Sequence, residues 1–362
     1  WIKSGSASWI YWAYNHGTRD YQLLKEYFDL AAEMKWPYSL IDWEWDQMGN
    51  GGNLEDAVKY AHERGVKPLL WYNSSTNWLG PTPLYRLNKP EDRAKEFEWL
   101  NKLGVFGIKV DFFLGDSISS MDYYIDLLED AAKYNLMVNF HGATIPRGWQ
   151  RTYPNLMSVE AVYGAEWYNN NGVLTNQAAA HNATLPFTRN VVGPMDYTPG
   201  AMISMQPNVY RSERPNAASI GTRAYQLALF VVFESGLQML ADNPTLYYRN
   251  EDCTRFITQV PVTWDETVAL EAKAGEYVIV AKRKGDKWFI GGMTNNGKKE
   301  REFTIKLDFL NKDRSYQMTS FEDGINAGRQ AMDYRCKSSQ VKAGEQLTIK
   351  MVRNGGFAAV IE

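Results

Sequence analysis

Gly107-Ile108-Lys109-Val110-Asp111-Phe112-Phe113 is a short apolar run that stops at a carboxylate. It follows residues 90–103, which open on Pro90 and stop before Gly104 as a helix does. A run of this type reads as a fully buried parallel strand, and such a strand delivers the residue at its carboxyl end to the rim where barrel enzymes keep their chemistry. Asp111 is the first candidate for a catalytic group. A lone strand-end Asp can as readily cap the loop after it, so its standing depends on the residues around it.

Outward from that run the chain alternates strand and helix. Residues 6–14, 38–42, 67–73, 136–141, 156–162, 191–196 and 237–240 read as the other strands, and residues 19–35, 54–64, 117–134 and 219–233 as further helices. Eight such alternations predict a (β/α)8 TIM barrel over residues 1–262, with its site on the carboxyl-end loops. Residues 163–190 and 197–216 are too long for plain connections and read as binding walls or lids. After Pro261 the pattern changes to short alternating runs at residues 276–284, 287–294, 300–307, 315–322, 347–352 and 357–361, separated by turn sequences. These predict a C-terminal antiparallel β-sandwich domain over residues 263–362, with structural support as its first role and accessory sugar binding as the alternative.

The length of 362 residues suits a barrel of about 250 residues plus a smaller domain. A net charge of -3 without a Lys/Arg run gives no footprint for nucleic acid or an anionic membrane. No apolar stretch approaches the ~20 residues needed to span a bilayer. The chain starts at Trp1, which we read as a fragment or processed form whose lack of a leader does not bear on its compartment. Cys253 and Cys336 have no metal-ligand spacing and stand as one disulfide or two free thiols. Four His without paired spacing argue against a His-rich metal-dependent barrel. Aromatic residues reach 14%, many beside strand ends, and rings beside carboxylates suit a carbohydrate, although rings also fill cores.

Polar residues at strand ends are the candidates for chemistry: Asp42, Glu44, Asp46, Lys109, Asp111, His141, Glu160, Glu166 and Asp196. Cleaving a glycosidic bond takes two carboxyl groups flanking the anomeric carbon, and Asp111 with Glu166 is a plausible pair from different strand ends. Strand alternation puts Lys109 on the same face as Asp111, where a buried cation would keep that Asp ionised; the alternative is a Lys109 turned outward under a helix. His141 reads as a holder of a substrate hydroxyl, as a group that polarises a carboxylate, or as a structural hydrogen bonder. Asp42, Trp43, Glu44, Trp71, Lys109 and His141 are the expected sugar-binding wall.

The ordered set GIKVDFF (107–113), VNFHGATIPRGWQRTYPNL (138–156), VEAVYGAEW (159–167), VVGPMDYTPG (191–200) and VPVTWDET (260–267) resembles glycoside hydrolase family 97, the Bacteroides-type α-glycosidases. The resemblance covers essentially the whole chain. It implies a nucleophile at Asp111 and an acid/base at Glu166, as in the family's retaining α-galactosidases. The inverting α-glucosidases instead carry a general base Glu just after the strand-five His, where this chain has Gly142. The resemblance therefore implies a retaining, exo-acting α-galactosidase acting on α-galactoside oligosaccharides, with α-glucosidase or a non-catalytic carbohydrate-binding protein as alternatives. It also implies Ca²⁺ held through Glu160 and Glu166, a periplasmic or secreted location, and a family N-terminal β-sandwich that is absent from this chain. Retention predicts that the two carboxyl groups lie about 5 to 5.5 Å apart. Oligomeric state is not legible in the sequence.

Overall fold

The computed structural model describes residues 1–14, 18–169, 172–211 and 217–362. Six parallel strands follow one another around a sheet: β1 (Gly5–Trp9), β2 (Tyr38–Ile41), β3 (Lys67–Asn73), β4 (Gly107–Asp111), β5 (Met137–Phe140) and β6 (Leu156–Val159). A short parallel pair, β7 (Ile203–Met205) and β8 (Ala218–Ile220), stands apart, and β9 (Leu237–Leu240) returns to pair with β1. The strands of this barrel are nearly all buried, as parallel strands covered by helices must be. Its outer layer includes α2 (Tyr21–Glu33), α3 (Leu54–Glu63), α4 (Pro90–Leu103) and α5 (Ile118–Lys133), preceded by the single turn α1 (Tyr11–Tyr14). Side chains set three of the starts: Asp20 accepts from the Leu23 amide, Asn53 forms a capping box with Asp56, and Ser117 accepts from the Ser120 amide.

The first strand ends at Trp9, not residue 14, because its pairing with β2 stops at Leu40 and the chain turns into α1. The expected seventh strand at residues 191–196 does not form. Residues Arg189–Val192 make a tight turn, and only Met195 bridges to Val159, while the Asp196 amide donates to Val159 and the Met195 amide to Glu234. The Arg189 side chain replaces the missing ladder. Its guanidinium donates to the carbonyls of Val159 (2.7 Å), Glu160 (3.3 Å) and Ala161 (3.2 Å) on one side, and of Gly193 (3.0 Å) and Pro194 (3.1 Å) on the other. The barrel is thus closed at its seventh position by a buried cation bound to peptide carbonyls. A single turn α6 (Trp149–Thr152) precedes β6, and the long segment after β6 is not plain loop, since it carries α7 (Gly172–Asn182). Residues 212–216 of the second long segment lie outside the described residues.

The expected helix at 219–233 starts later, as α8 (Arg223–Val232), capped by Thr222; α9 (Pro244–Arg249) and α10 (Glu251–Gln259) complete the barrel. All ten residues of α8 are buried, because its far face meets the C-terminal sheets. These comprise β10 (Glu266–Lys273), β11 (Tyr277–Lys284), β12 (Lys287–Thr294), β13 (Glu300–Lys306), β14 (Ser315–Asp323), β15 (Tyr334–Lys342), β16 (Gln346–Val352) and β17 (Gly356–Ile361). The larger sheet runs β10-β11-β12-β17-β14-β15, and β13 pairs with β16. Gly291 and Gly356 let the sheet approach α8: a Cβ at Gly356 would meet Tyr225 Cα at 2.3 Å, and one at Gly291 would meet the Ala228 carbonyl at 2.9 Å. At this seam buried Asp323 accepts from the Thr222 hydroxyl (2.6 Å) and the Val352 (2.9 Å) and Gly356 (3.1 Å) amides. Cys253 is buried in α10 and Cys336 exposed on β15, both as free thiols.

Two expectations follow. Arg189→Ala removes a donor shared by five buried or part-buried carbonyls, of which Val159 keeps the Asp196 amide, and unfolding in urea should show a loss of about 3 kcal/mol or more, with Arg189→Lys recovering only part of it. Burial pushes the Asp323 carboxyl up to about 7, against the hydrogen bonds it accepts. A raised folded-state value means the folded protein holds the proton more tightly, so this stability is complete below pH ~4 and is lost as pH rises toward 7. The melting temperature of Asp323→Asn should therefore gain on that of the parent between pH 4.5 and pH 8, and parallel curves would refute the assignment.

Candidate active site

The carboxyl ends of β2, β4, β5 and β6 bring the site together, and the last three turn sharply just beyond their functional residue. Phe112, Gly142 and Ala161, which follow Asp111, His141 and Glu160, have φ of 63°, 48° and 36°. The turn after Asp111 lets its Oδ1 accept from the Phe112 amide at 2.7 Å, so it does cap the following loop, while Oδ2 accepts from Trp71 Nε1 at 3.2 Å. Asp42 is bound in the same way, Oδ1 to the Trp43 amide (2.9 Å) and Oδ2 to Trp9 Nε1 (2.8 Å). Lys109 points inward. Its Nζ lies 3.7 Å from Asp42 Oδ2 and 4.7 Å from the centre of the Trp9 ring.

His141 is the hub. Its Nδ1 lies 3.5 Å from Asp111 and 3.3 Å from Glu160, and its Nε2 lies 3.6 Å from Glu166 and 3.8 Å from Asp196. Glu160 also accepts from the Gly142 amide at 2.7 Å and from Trp167 Nε1 at 3.3 Å. Burial alone would raise the Asp111 carboxyl, but His141, Lys109 and Trp71 outweigh it and hold it below the usual carboxylate range. Glu166 goes the other way: burial, with Glu160 and Asp111 beside it, pushes it up to about 7 despite His141 and Lys109. Burial works against a charged His141, yet Glu160 and Asp111 bring it up to about 10. One carboxyl kept ionised and another kept protonated in one pocket is the electrostatic arrangement that divides nucleophile from acid.

A cavity of about 550 Å³ opens over this group, and Asp42, Trp43, Trp71, Lys109, Asp111, His141, Glu160 and Glu166 all line it. Glu44 does not. Its backbone is left-handed (φ 62°), which turns the side chain outward to Arg19 at 2.5 Å, so it is removed from the sugar wall. Asp46 is exposed and accepts from Thr82, and Asp196 is buried beneath the rim, held by Asn139 at 2.8 Å. Tyr11, Asn77, Trp78, Phe112 and Trp167 line the cavity as well and were not singled out from the sequence. Trp78 packs edge-on against Phe112 (4.7 Å) and Trp43 (5.9 Å), giving a ring platform at the mouth. Its signal was weak, since Asn77-Trp78 falls in a loop without periodicity.

Glu160, Glu166 and His141 each offer a ligand atom within 4.8 Å of the others, the one such group among the described residues. Two carboxylates suit a hard cation such as Ca²⁺, and the imidazole nitrogen does not. Because Ca²⁺ takes about six to eight oxygens, Glu160 and Glu166 fit as part of its shell, with the remainder from water, substrate or another part of the protein.

The family model for glycoside hydrolase 97 matches residues 1–162, and that for the glycosyl-hydrolase 97 C-terminal, oligomerisation, region matches residues 263–362. A retaining alpha-galactosidase of Bacteroides thetaiotaomicron is 36% identical, aligned over 100% of this chain and 54% of its own length. A probable retaining alpha-galactosidase of Streptomyces bingchenggensis is 34% identical over 99% of this chain and 53% of its own. Among solved structures, a beta-arabinopyranosidase superposes with a TM-score of 0.88 at 30% identity, over 99% of this chain and 56% of that one. A glycoside hydrolase family 97 enzyme from Pseudoalteromonas sp. strain K8, bound to panose, gives 0.84 at 25% identity, over 100% and 60%. The chain spans about half the length of the curated relatives it matches.

The site has no room for a side chain at Gly142. An added Cβ would lie 2.8 Å from Asp111 Oδ1 and 2.8 Å from the Phe112 amide nitrogen. Gly142→Ala should therefore push Asp111 out of place and lower kcat/KM about 100-fold or more, with a smaller effect on thermal unfolding; an Ala variant with parental kcat/KM would show that the rim relaxes freely.

Proposed function

The chain belongs to glycoside hydrolase family 97, and from that membership we propose that it carries the active site of a retaining, exo-acting α-galactosidase. The observation that carries the reading is the pairing of Asp111 with a bare Gly142: the position of an inverting member's base has no side chain, and Asp111 fills the space beside it. In this reading Asp111 attacks the anomeric carbon from one face while Glu166 protonates the departing oxygen. Glu166 then takes a proton from the water that opens the glycosyl-enzyme, and the sugar leaves with its anomeric configuration kept. Lys109, Trp71 and His141 support the first step by holding Asp111 as the anion. Asp42 and Lys109 offer charged hydrogen-bonding partners to ring hydroxyls, and Trp43 and Trp78 offer apolar faces to the C–H side of the sugar.

The same reading includes Ca²⁺ held through Glu160 and Glu166, where its charge would orient substrate hydroxyls. It takes the protein as periplasmic or secreted, as befits a hydrolase of external oligosaccharides. A second glycone is favoured by one specific observation, the 0.88 superposition on a beta-arabinopyranosidase. A β-L-arabinopyranoside presents the ring hydroxyls of an α-D-galactoside and lacks only the exocyclic CH2OH, so one set of ring contacts serves both. An α-glucosidase would instead prefer the opposite configuration at C4.

The deciding measurement is the configuration of the first-formed sugar, followed by proton NMR during hydrolysis of p-nitrophenyl α-galactoside with calcium present, alongside the α-glucoside and the β-L-arabinopyranoside. We expect α-galactose first. Asp111→Gly should lose about three orders of magnitude in kcat/KM, and azide should restore turnover by yielding the β-galactosyl azide. β-Galactose as the first product would rule out Asp111 as the nucleophile.

A further inference from the structure

A second cleft, of about 560 Å³, lies beside the sugar pocket and shares Gly142, Glu160 and Trp167 with it. Its other walls come from the loop after β5, the loop after β6 and the segment after α7, and they include Ile145, Val162, Tyr163, Leu185 and Val192. The character of this cleft differs from that of the sugar pocket. Large apolar side chains stand open to it, with Ile145 53%, Tyr163 50% and Trp167 39% exposed. Single exposed apolar residues are ordinary, but a contiguous patch that runs into a catalytic pocket marks a binding surface.

The position of the acid sets what can lie there. Asp42, Trp43, Trp71 and Lys109, at the ends of β2, β3 and β4, form the side of the pocket that would hold the sugar. Glu166 stands on the loop after β6, where it must reach the leaving oxygen. A leaving group attached to that oxygen extends away from β2 to β4 and over the β6 loop, which is where the cleft opens. Trp167, next to the acid, belongs to both cavities, and Tyr163 meets it edge-on at 5.5 Å. Four polar side chains, Glu160, His181, Thr188 and Arg189, interrupt the apolar lining, and of these His181 has a ring nitrogen, Nε2, that is buried with no hydrogen-bond partner among the described residues. An unpaired buried polar atom is costly, so it marks where a ligand would bring a hydrogen-bonding group.

We propose that this cleft is the aglycone site and that it takes a flat aromatic aglycone bearing one hydrogen-bonding group, which meets His181. The inference rests on the glycosidase reading of the site. The ring would lie against Trp167 and Tyr163, in the offset or edge-on contacts that aromatic pairs favour. The preferred substrates are then aryl-bearing α-galactosides, in contrast to simple alkyl galactosides.

The test compares 2-(4-hydroxyphenyl)ethyl, whose phenol supplies the group for His181, with methyl α-galactoside on the full-length protein, with the matching β-L-arabinopyranosides in parallel. Both aglycones are aliphatic alcohols, so leaving-group acidity does not favour either. We expect kcat/KM about tenfold higher for the hydroxyphenylethyl substrate, which corresponds to burying one ring. Ile145→Asp and Val192→Asp, both outside the sugar pocket, should each bring the ratio to within about twofold while leaving methyl galactoside turnover unchanged. Equal kcat/KM for the two substrates overturns the proposal, and is also the result if another part of a longer chain fills the cleft. A preference that survives both substitutions overturns it too, since the ring then binds elsewhere. Turnover of none of the four glycosides refutes the glycosidase reading itself, and this inference with it.

Discussion

Four buried carboxyl groups, those of Asp42, Asp111, Glu160 and Asp196, and the part-buried one of Glu166 gather around two cationic side chains, Lys109 and His141. Charge held out of water must be paired or given up as a proton, and the whole rim is arranged to meet that demand. Asp42 has the nearest approach to Lys109, and Asp111 shares His141 with Glu160. Burial raises the carboxyls of Asp42 and Glu160 as well, and it pushes that of Glu166 up to about 7 against the pull of His141 and Lys109. The protonation that the proposed acid role needs is thus a consequence of crowding as much as of the position of Glu166. The excess of carboxylates over cations that remains is also what a divalent ion would neutralise, and Glu160 and Glu166 are the oxygens best placed to share one.

Holding such a cluster requires backbone geometry that ordinary strands do not provide. Beyond Asp111, His141 and Glu160 the chain enters the left-handed region at once, and only at Gly142 is the residue a glycine. Phe112 and Ala161 carry a cost of roughly 1 to 3 kcal/mol each there, persisting because the strands behind them are fully buried and cannot shift. The same turns aim amides back at the carboxylates, Phe112 to Asp111 and Gly142 to Glu160. Strain and electrostatic support are two results of one backbone device. The barrel that resists it is completed by the C-terminal sheet, which covers the outer face of α8 and leaves that helix no exposed residue.

The parts of this arrangement that a sequence can express as pattern were legible in it. β4 was readable because its apolar run ends at a charged residue, and alternation then put Lys109 on the face of Asp111. Asp42 was legible as a carboxylate at a strand end, and Trp71 as a ring near one. The seventh strand misled because Val191-Val192 looks apolar enough for a strand, whereas both are exposed in the structure and the closing bonds come from Arg189. No local rule tells that an arginine two residues upstream will bind five carbonyls. Glu44 misled for a related reason, since a single left-handed residue reverses where a side chain points. β10 and β15 escaped notice because they are edge strands with mostly exposed residues, so they carry no apolar alternation to read.

Gly142 shows why some of the site could be read only as a pair of positions. Its missing side chain leaves room for Asp111 Oδ1, its positive φ turns the chain out of β5, and its amide holds Glu160. A carboxylate at position 142 and the observed Asp111 would compete for the same few cubic ångströms. The rim between β4 and β5 therefore admits one functional side chain, from one strand or the other, and in the proposed mechanism that choice would decide whether a carboxylate or a water molecule meets the anomeric carbon. Under that mechanism, stereochemistry is a packing question at a single strand–strand contact. The barrel and its acid can stay as they are while the two sides of that contact exchange roles, because Glu166 is carried on a different loop and depends on the burial of the cluster as a whole.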